Sequence, residues 1–296
     1  MENLRGAVLM VLAMLGFAIE DSMIKLIGDD MPVGQILIVL GLGGAAVFGI
    51  IVLAQGRALF ERAMLSAPVL IRAAGEIFGT VCFISAIVYT PLSSASAILQ
   101  AMPLVVTLGA ALFLGESVGW RRWSAISVGF LGVMLIVRPG SEGFSVLSLL
   151  ALGGVLGLAA RDLGTRQVSA ALSTMQLSFL GFLAIVPAGL VMMPATGSSL
   201  VAIDLRLGAL LAGCIATGVV AYYAIVAATR VGEISFISPF RYSRLVFALI
   251  IGTTFFDERP DTLTLLGGAI IVASGIYTVW RERKQGIKPV AKPSKI

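Results

Sequence analysis

Residues 16–26 read GFAIEDSMIKL, and residues 157–167 read GLAARDLGTRQ. A shift of 141 positions lays Gly16 on Gly157, Ala18 on Ala159, Asp21 on Asp162 and Lys25 on Arg166. A second echo, at a shift of 142, lays Phe113 on Phe255 and Glu116 on Glu258. The 296 residues therefore read as two similar halves. Their arrangement turns on how many helices each half holds and on which solvent surrounds them.

Composition answers the second question. The chain is 58% hydrophobic and 12% charged, whereas a soluble domain carries roughly 25% charged residues. Apolar runs approach or exceed the roughly 18–20 residues that a helix needs to cross the hydrocarbon core, and the ten-residue alternation of an outer-membrane barrel is absent. The expected fold class is thus all-α and integral to the membrane. Apolar windows and the breaks between them place ten spans at 6–27, 33–54, 68–89, 93–113, 119–138, 145–163, 173–193, 207–229, 232–256 and 262–280. Ten spans make five per half. An odd number forces the two halves into opposite orientations, the inverted-repeat plan of many secondary transporters. The first half is expected at 5–138, the second at 145–280, and 285–296 as a disordered cytoplasmic tail rich in Lys and Pro. Glu20, Asp21 and Lys25, and the lack of a small-residue cleavage site, mark the first apolar stretch as a retained helix and not a signal peptide.

Lys and Arg fix the orientation, being enriched on the cytoplasmic side. With the N-terminus inside, Arg5, Arg57, Arg62, Arg121, Arg122, Arg161, Arg166, Arg230 and six tail residues fall inside, against Lys25, Arg138, Arg206 and Arg259 outside. Trp120, Trp123 and Trp280 fall at the same cytoplasmic interface. Both termini are accordingly expected in the cytoplasm of a bacterial cell whose inner membrane the chain crosses repeatedly.

Several function classes drop out. Without any histidine, His-based acid–base catalysis, His-activated nucleophiles and His metal ligands are excluded. Cys82 and Cys214 lie inside predicted spans as small packing residues. No P-loop is present, so the chain does not power transport by its own ATP hydrolysis. No basic stripe interleaved with aromatics offers a nucleic-acid surface. No enzyme activity, metal or cofactor is expected; the partners are a small-molecule substrate and the lipid bilayer, with a homodimer left open.

The two halves resemble two copies of the EamA module of the drug/metabolite transporter superfamily. The resemblance rests on GFAIEDSMIKL in the first helix, LFLGES at 112–117, and SVGFLGVMLIV at 127–137, echoed by FFDERPDTLTLLGGAIIVASGIY at 255–277. It implies ten helices around a central cavity lined by helices 1, 3, 4, 6, 8 and 9, with cargoes that range over amino acids, riboflavin, S-adenosylmethionine and metallophores. Riboflavin uptake is the first cargo expected from that range, with an amino acid or S-adenosylmethionine carrier as the alternative and a channel or scaffold as a remote one.

Ionisable groups deep in lipid cost about 2.5–3.5 kcal/mol each on insertion scales, so depth selects the candidates. Arg241 and Arg244 lie roughly 13 and 18 Å along the ninth span, near the midplane and on one helical face. They serve either to bind an anionic or hydrogen-bond-accepting cargo group or to pair with acids of neighbouring helices. Tyr242 stands beside them, and Pro239 frees a backbone carbonyl. At the 142 shift Gln100 matches Tyr242, and Pro103 breaks the fourth span at similar depth, by either cargo contact or an ordinary kink. Glu76 lies at the depth of Arg241 and pairs either with it or with Arg72 at i, i+4. Glu20 and Asp21 either balance Arg244 or line the outer vestibule. Tyr222 and Tyr223 either stack on a ring-bearing cargo or belong to an aromatic belt. The small-xxx-small pairs Gly75/Gly79 and Gly153/Gly157 are expected to pack helices closely.

Overall fold

The computed structural model describes residues 2–115, 119–139, 145–169, 171–231 and 238–284, and among them every regular element is helical. The helices are α1 (Glu2–Gly28), α2 (Val33–Ala54), α3 (Ala67–Tyr89), α4 (Leu92–Leu99), α5 (Met102–Phe113), α6 (Trp120–Val137), α7 (Ser148–Arg166), α8 (Thr174–Ala195), α9 (Leu205–Val231), α10 (Ser243–Phe255) and α11 (Thr262–Lys284). A 3-10 turn at Ser238–Tyr242 leads into α10. Six helical stretches are long and apolar enough to cross a membrane: Leu4–Gly28, Val33–Ala54, Ala67–Tyr89, Leu92–Phe113, Thr174–Ala195 and Leu205–Ile225. Trp123–Val137 and Thr262–Thr278 form shorter apolar helices. Wherever the ends are described, they lie within four residues of the spans read from sequence. Glu116, residues 232–237 and the tail at 285–296 lie outside the described residues.

The boundaries follow from local chemistry. Pro32 precedes α2, which is apolar apart from Gln35; the helix stops where Gly56 takes φ +68° and its N–H turns back to the Leu53 carbonyl. The fourth span is split. Pro103, at the second position of α5, has no N–H for the ladder, and the chain tightens at the junction, where Gln100 N–H bonds to Ala97 O at 3.3 Å and Ala101 N–H to Ile98 O at 3.0 Å. Pro239, inside the 3-10 turn, begins α10 in a similar way.

Helices from one half of the sequence pack chiefly on helices from the other. α1 lies on α9, α2 on α8, α3 on α7 and α6 on α11. Lipid gives no hydrophobic drive to these contacts, so close approach through small residues matters. At the α3–α7 crossing a Cβ on Gly157 would stand 2.4 Å from the Gly79 nitrogen and 2.5 Å from its Cα. Backbone cannot yield as a side chain can. Gly157→Ala is therefore expected to force the two helices apart and cost about 1–3 kcal/mol, measured as a lowered unfolding midpoint in detergent; an unchanged midpoint would show that α3 and α7 can slide. Gly132 and Gly267 make the corresponding approach between α6 and α11.

Two glutamines pin the ends of the α2–α8 pair. Gln35, in the first turn of α2, donates to Val201 O at 2.7 Å and accepts from Val201 N at 2.8 Å, in the segment that follows α8. Gln176, in the first turn of α8, closes a capping box with Ser173 and donates to Ala58 O at 2.8 Å and Glu61 Oε1 at 2.7 Å, in the segment that follows α2.

Candidate functional site: charged groups in the helix interior

The best-engaged cation in the interior is Arg244, on the first turn of α10. It faces Asp21 of α1, which is 3% exposed, through Nη2 at 2.9 Å to Oδ1 and 2.6 Å to Oδ2 and through Nε at 3.1 Å. The guanidinium carbon also lies 5.2 Å from the Phe17 ring centre and 5.6 Å from that of Phe83, within cation–π range of both. Of the two expectations for Asp21, the structure shows the balancing of Arg244. The Arg244 guanidinium is thus fixed by three contacts to one carboxylate and flanked by two rings.

A second cluster joins α3 to α7. Glu76 accepts from Arg161 Nη1 at 3.2 Å, lies 3.6 Å from Arg72 Nη2, and takes a weaker bond from the Thr80 hydroxyl at 3.4 Å. Arg161 also holds Asp162, with Nε and Nη2 each 2.9 Å from Oδ1. Glu76 thus takes Arg72, one of its two expected partners, and adds Arg161. The sequence reading placed Arg161 among the cytoplasmic anchors; α7 runs on to Arg166, which carries Arg161 more than a turn inside the helix. The repeat held the signal, since Asp162 aligns with the interior Asp21. Arg72 is buried, and its Nε and Nη1 find no hydrogen-bond partner.

Arg241 is different from both. Among the described residues no hydrogen bond or ion pair engages its guanidinium, although it lies within electrostatic reach of Asp162, Arg161 and Arg244. Gln100, buried at the α4–α5 break, donates from Nε2 to the Tyr242 carbonyl at 3.2 Å, so the two helix breaks meet beside Arg241. The Tyr242 ring is buried and its hydroxyl, without a hydrogen-bond partner, rests against Gly275 of α11. Tyr222 turns inward and meets Phe48 edge-on at 5.3 Å. Tyr223 is 68% exposed, on the outer side of α9 where lipid lies. The Glu20 carboxylate has no hydrogen-bonding or ionic partner among the described residues and lies over Gly218 of α9.

At the far end of α1, Lys25 donates to Thr90 O at 2.7 Å and Ile87 O at 3.3 Å, with Glu258 Oε1 at 3.8 Å and the Phe256 ring centre at 5.6 Å. Glu258 caps α4, accepting from Leu92 N at 2.5 Å, Ser93 N at 2.9 Å and the Ser93 hydroxyl at 2.6 Å.

The description "EamA-like transporter family" fits residues 4–138. Over 276 residues the chain is 31% identical to the "Pseudopaline exporter CntI" of Pseudomonas aeruginosa, covering 92% of this chain and 94% of the relative. It is 29% identical over 287 residues to the "Riboflavin transporter" of Vibrio cholerae, covering 95% of each. To the "S-adenosylmethionine uptake transporter" of Rickettsia bellii it is 27% identical over 213 residues, 72% of each chain. A solved structure described as "Crystal structure of protein" superposes with a TM-score of 0.62 over 96% of this chain and 99% of its own, at 16% identity, a likeness of fold.

Proposed function

The chain belongs to the EamA-like transporter family, whose members here are named as transporters and not as enzymes, and from that premise we propose a secondary carrier that moves a small polar metabolite across the bacterial inner membrane by alternating access. The proposed architecture has ten spans in two inverted repeats, 5–138 and 145–280, with both termini cytoplasmic. Three observations support it. The main helix pairs join the halves, α1 with α9 as α7 with α3. Gln35 and Gln176, 141 positions apart, each tie down the segment after the other's helix. Gln100 bonds to Tyr242, its own counterpart at the 142 shift, as a residue near a pseudo-twofold axis would.

The proposed cargo site is the meeting of the two broken spans, with Arg241, Gln100 and Tyr242 at its centre, Tyr222 and Glu20 toward its walls, and Pro103 and Pro239 opening the backbone. The observation that carries it is the interior guanidinium of Arg241, which makes no hydrogen bond or ion pair among the described residues: a charge kept in lipid at such cost marks a binding site by default. Glu76, Arg72 and Asp21 hold the bundle around it. Riboflavin uptake is the first cargo reading, supported by relatives so named and by the ring faces of Tyr222 and Phe48. A charged cargo is the second, favoured by the free charge of Arg241.

Reconstituted vesicles preloaded with unlabelled riboflavin, an amino acid mixture or S-adenosylmethionine test both readings. Saturable counterflow of the labelled compound is expected for one of them. Vesicles that show no cargo-dependent flux with any of the three would overturn the carrier.

A further inference from the structure

Eight charged side chains stand in the described interior away from the outer ends of the spans read from sequence: Glu20, Asp21, Arg72, Glu76, Arg161, Asp162, Arg241 and Arg244. Six of them close into three pairs, Asp21 with Arg244, Glu76 with Arg72, and Asp162 with Arg161. Glu20 and Arg241 are left over, and they have opposite signs.

Comparison of the two main helix crossings shows how Glu20 comes to be alone. In one, a Cβ on Gly157 of α7 would meet Gly79 of α3 at 2.4 Å; in the other, a Cβ on Gly16 of α1 would meet the Ala221 Cβ of α9 at 2.9 Å. Four residues along the first helix and three back along the second stand Arg161 and Glu76 in one crossing and Glu20 and Gly218 in the other. The first pair is an ion pair at 3.2 Å. In the second, the partner position is a glycine, and a Cβ there would lie 2.7 Å from Glu20 Oε1. The same framework thus satisfies a charge on one side and, on the other, lays the Glu20 carboxylate against a glycine that carries no partner group. Within a turn of Gly218 the α9 sequence holds no cation to replace the missing partner: Cys214, one turn away, bonds through its thiol to the Glu20 carbonyl at 3.8 Å. The single nearby cation, Arg244, is taken by Asp21.

We infer that the cargo is dipolar, and that Glu20 is the residue that receives its cationic group while Arg241 receives its anionic or strongly accepting group. This rests on the carrier reading above, develops its charged-cargo alternative and sets aside neutral riboflavin in favour of molecules that carry both signs of charge. Glu20 adjoins Asp21 and Arg241 stands three positions before Arg244, so each docking point neighbours one member of a pair that is neutral in sum, which suits a cargo whose charges are separated along the molecule. Each free charge is then neutralised only when cargo is bound, so a molecule with one charge leaves the other exposed in low dielectric.

The purified full chain in detergent is titrated, by competition or quenching, with probes of three charge types on one ring: 4-(aminomethyl)benzoate, 4-methylbenzoate and 4-methylbenzylamine. Phenylalanine, 3-phenylpropionate and 2-phenylethylamine make a second set with the charges closer together. In at least one set the zwitterion should bind tenfold or more tighter than either single-charge partner. Glu20→Gln should erase its advantage over the carboxylate probe. Gly218→Ala provides a variant that keeps the charge: its methyl group meets only the flexible end of Glu20, so the fold tolerates it, and the same loss for zwitterions is expected. Zwitterions no tighter than their carboxylate partners in either set would overturn the inference. So would a Glu20→Gln protein that binds them as wild type does, or one in which only the pH dependence of flux changes, which would make Glu20 a proton carrier. In each of these cases riboflavin or other counterflow in vesicles would still stand, so the carrier reading survives a failure of this one.

Discussion

Arg244→Ala is expected to destabilise the fold by about 3–5 kcal/mol, because it strips the counter-charge from Asp21 and leaves a buried carboxylate alone. Replacing Asp21 by Asn in the same molecule should restore most of the loss, since the orphaned charge then disappears. The measurement is the unfolding midpoint of the detergent-purified variants. An Arg244→Ala protein that unfolds at the wild-type temperature would remove the clamp from the account of stability. At the level of sequence Arg241 and Arg244 share the same two readings, cargo binding or pairing with an acid of a neighbouring helix; the contact with Asp21 separates them.

Arg241→Met is expected to behave in the opposite way. Among the described residues the guanidinium has no hydrogen-bond or ion-pair partner to strand, and the shorter, unbranched apolar side chain removes a buried charge from lipid, so the unfolding midpoint should hold or rise. Cargo affinity should fall by roughly 150-fold, the equivalent of about 3 kcal/mol for two charge-assisted hydrogen bonds lost. Counterflow in vesicles gives the readout. Flux and half-saturation within twofold of wild type would exclude Arg241 from the site. The two arginines, three positions apart across the junction of the 3-10 turn and α10, thus separate into one whose loss is read in stability and one whose loss is read in transport.

Most of the fold was legible because lipid makes apolar length and its interruptions the dominant signal. Val33–Ala54 has no charge and no proline, and both ends stand where the reading put them. The split of the fourth span was equally visible in Pro103. The site was legible only in part. Depth picked out Arg241, Arg244, Glu76, Glu20 and Asp21, but periodicity along one helix says little about which residue faces it from another. Arg161 was missed for that reason: counted from the expected end of its span it belonged to the interface, whereas three further residues of helix carry it inward to Glu76. Tyr222 and Tyr223 share a depth and differ by about 100° around the helix, so one meets Phe48 and the other faces outward. The unpartnered state of Glu20 needed the opposite helix most of all, since what marks it is a glycine 198 positions later in the chain.

The tethers at Gln35 and Gln176 have a mechanical consequence. α2 has 22 residues, so its two attachment points to the neighbouring chain stand about 33 Å apart. Two anchors separated by a full helix length cancel both sliding and pivoting between α2 and α8. The pair behaves as a single strut, and whatever excursion the remaining helices make, this strut supplies the stationary frame against which the displacement is taken.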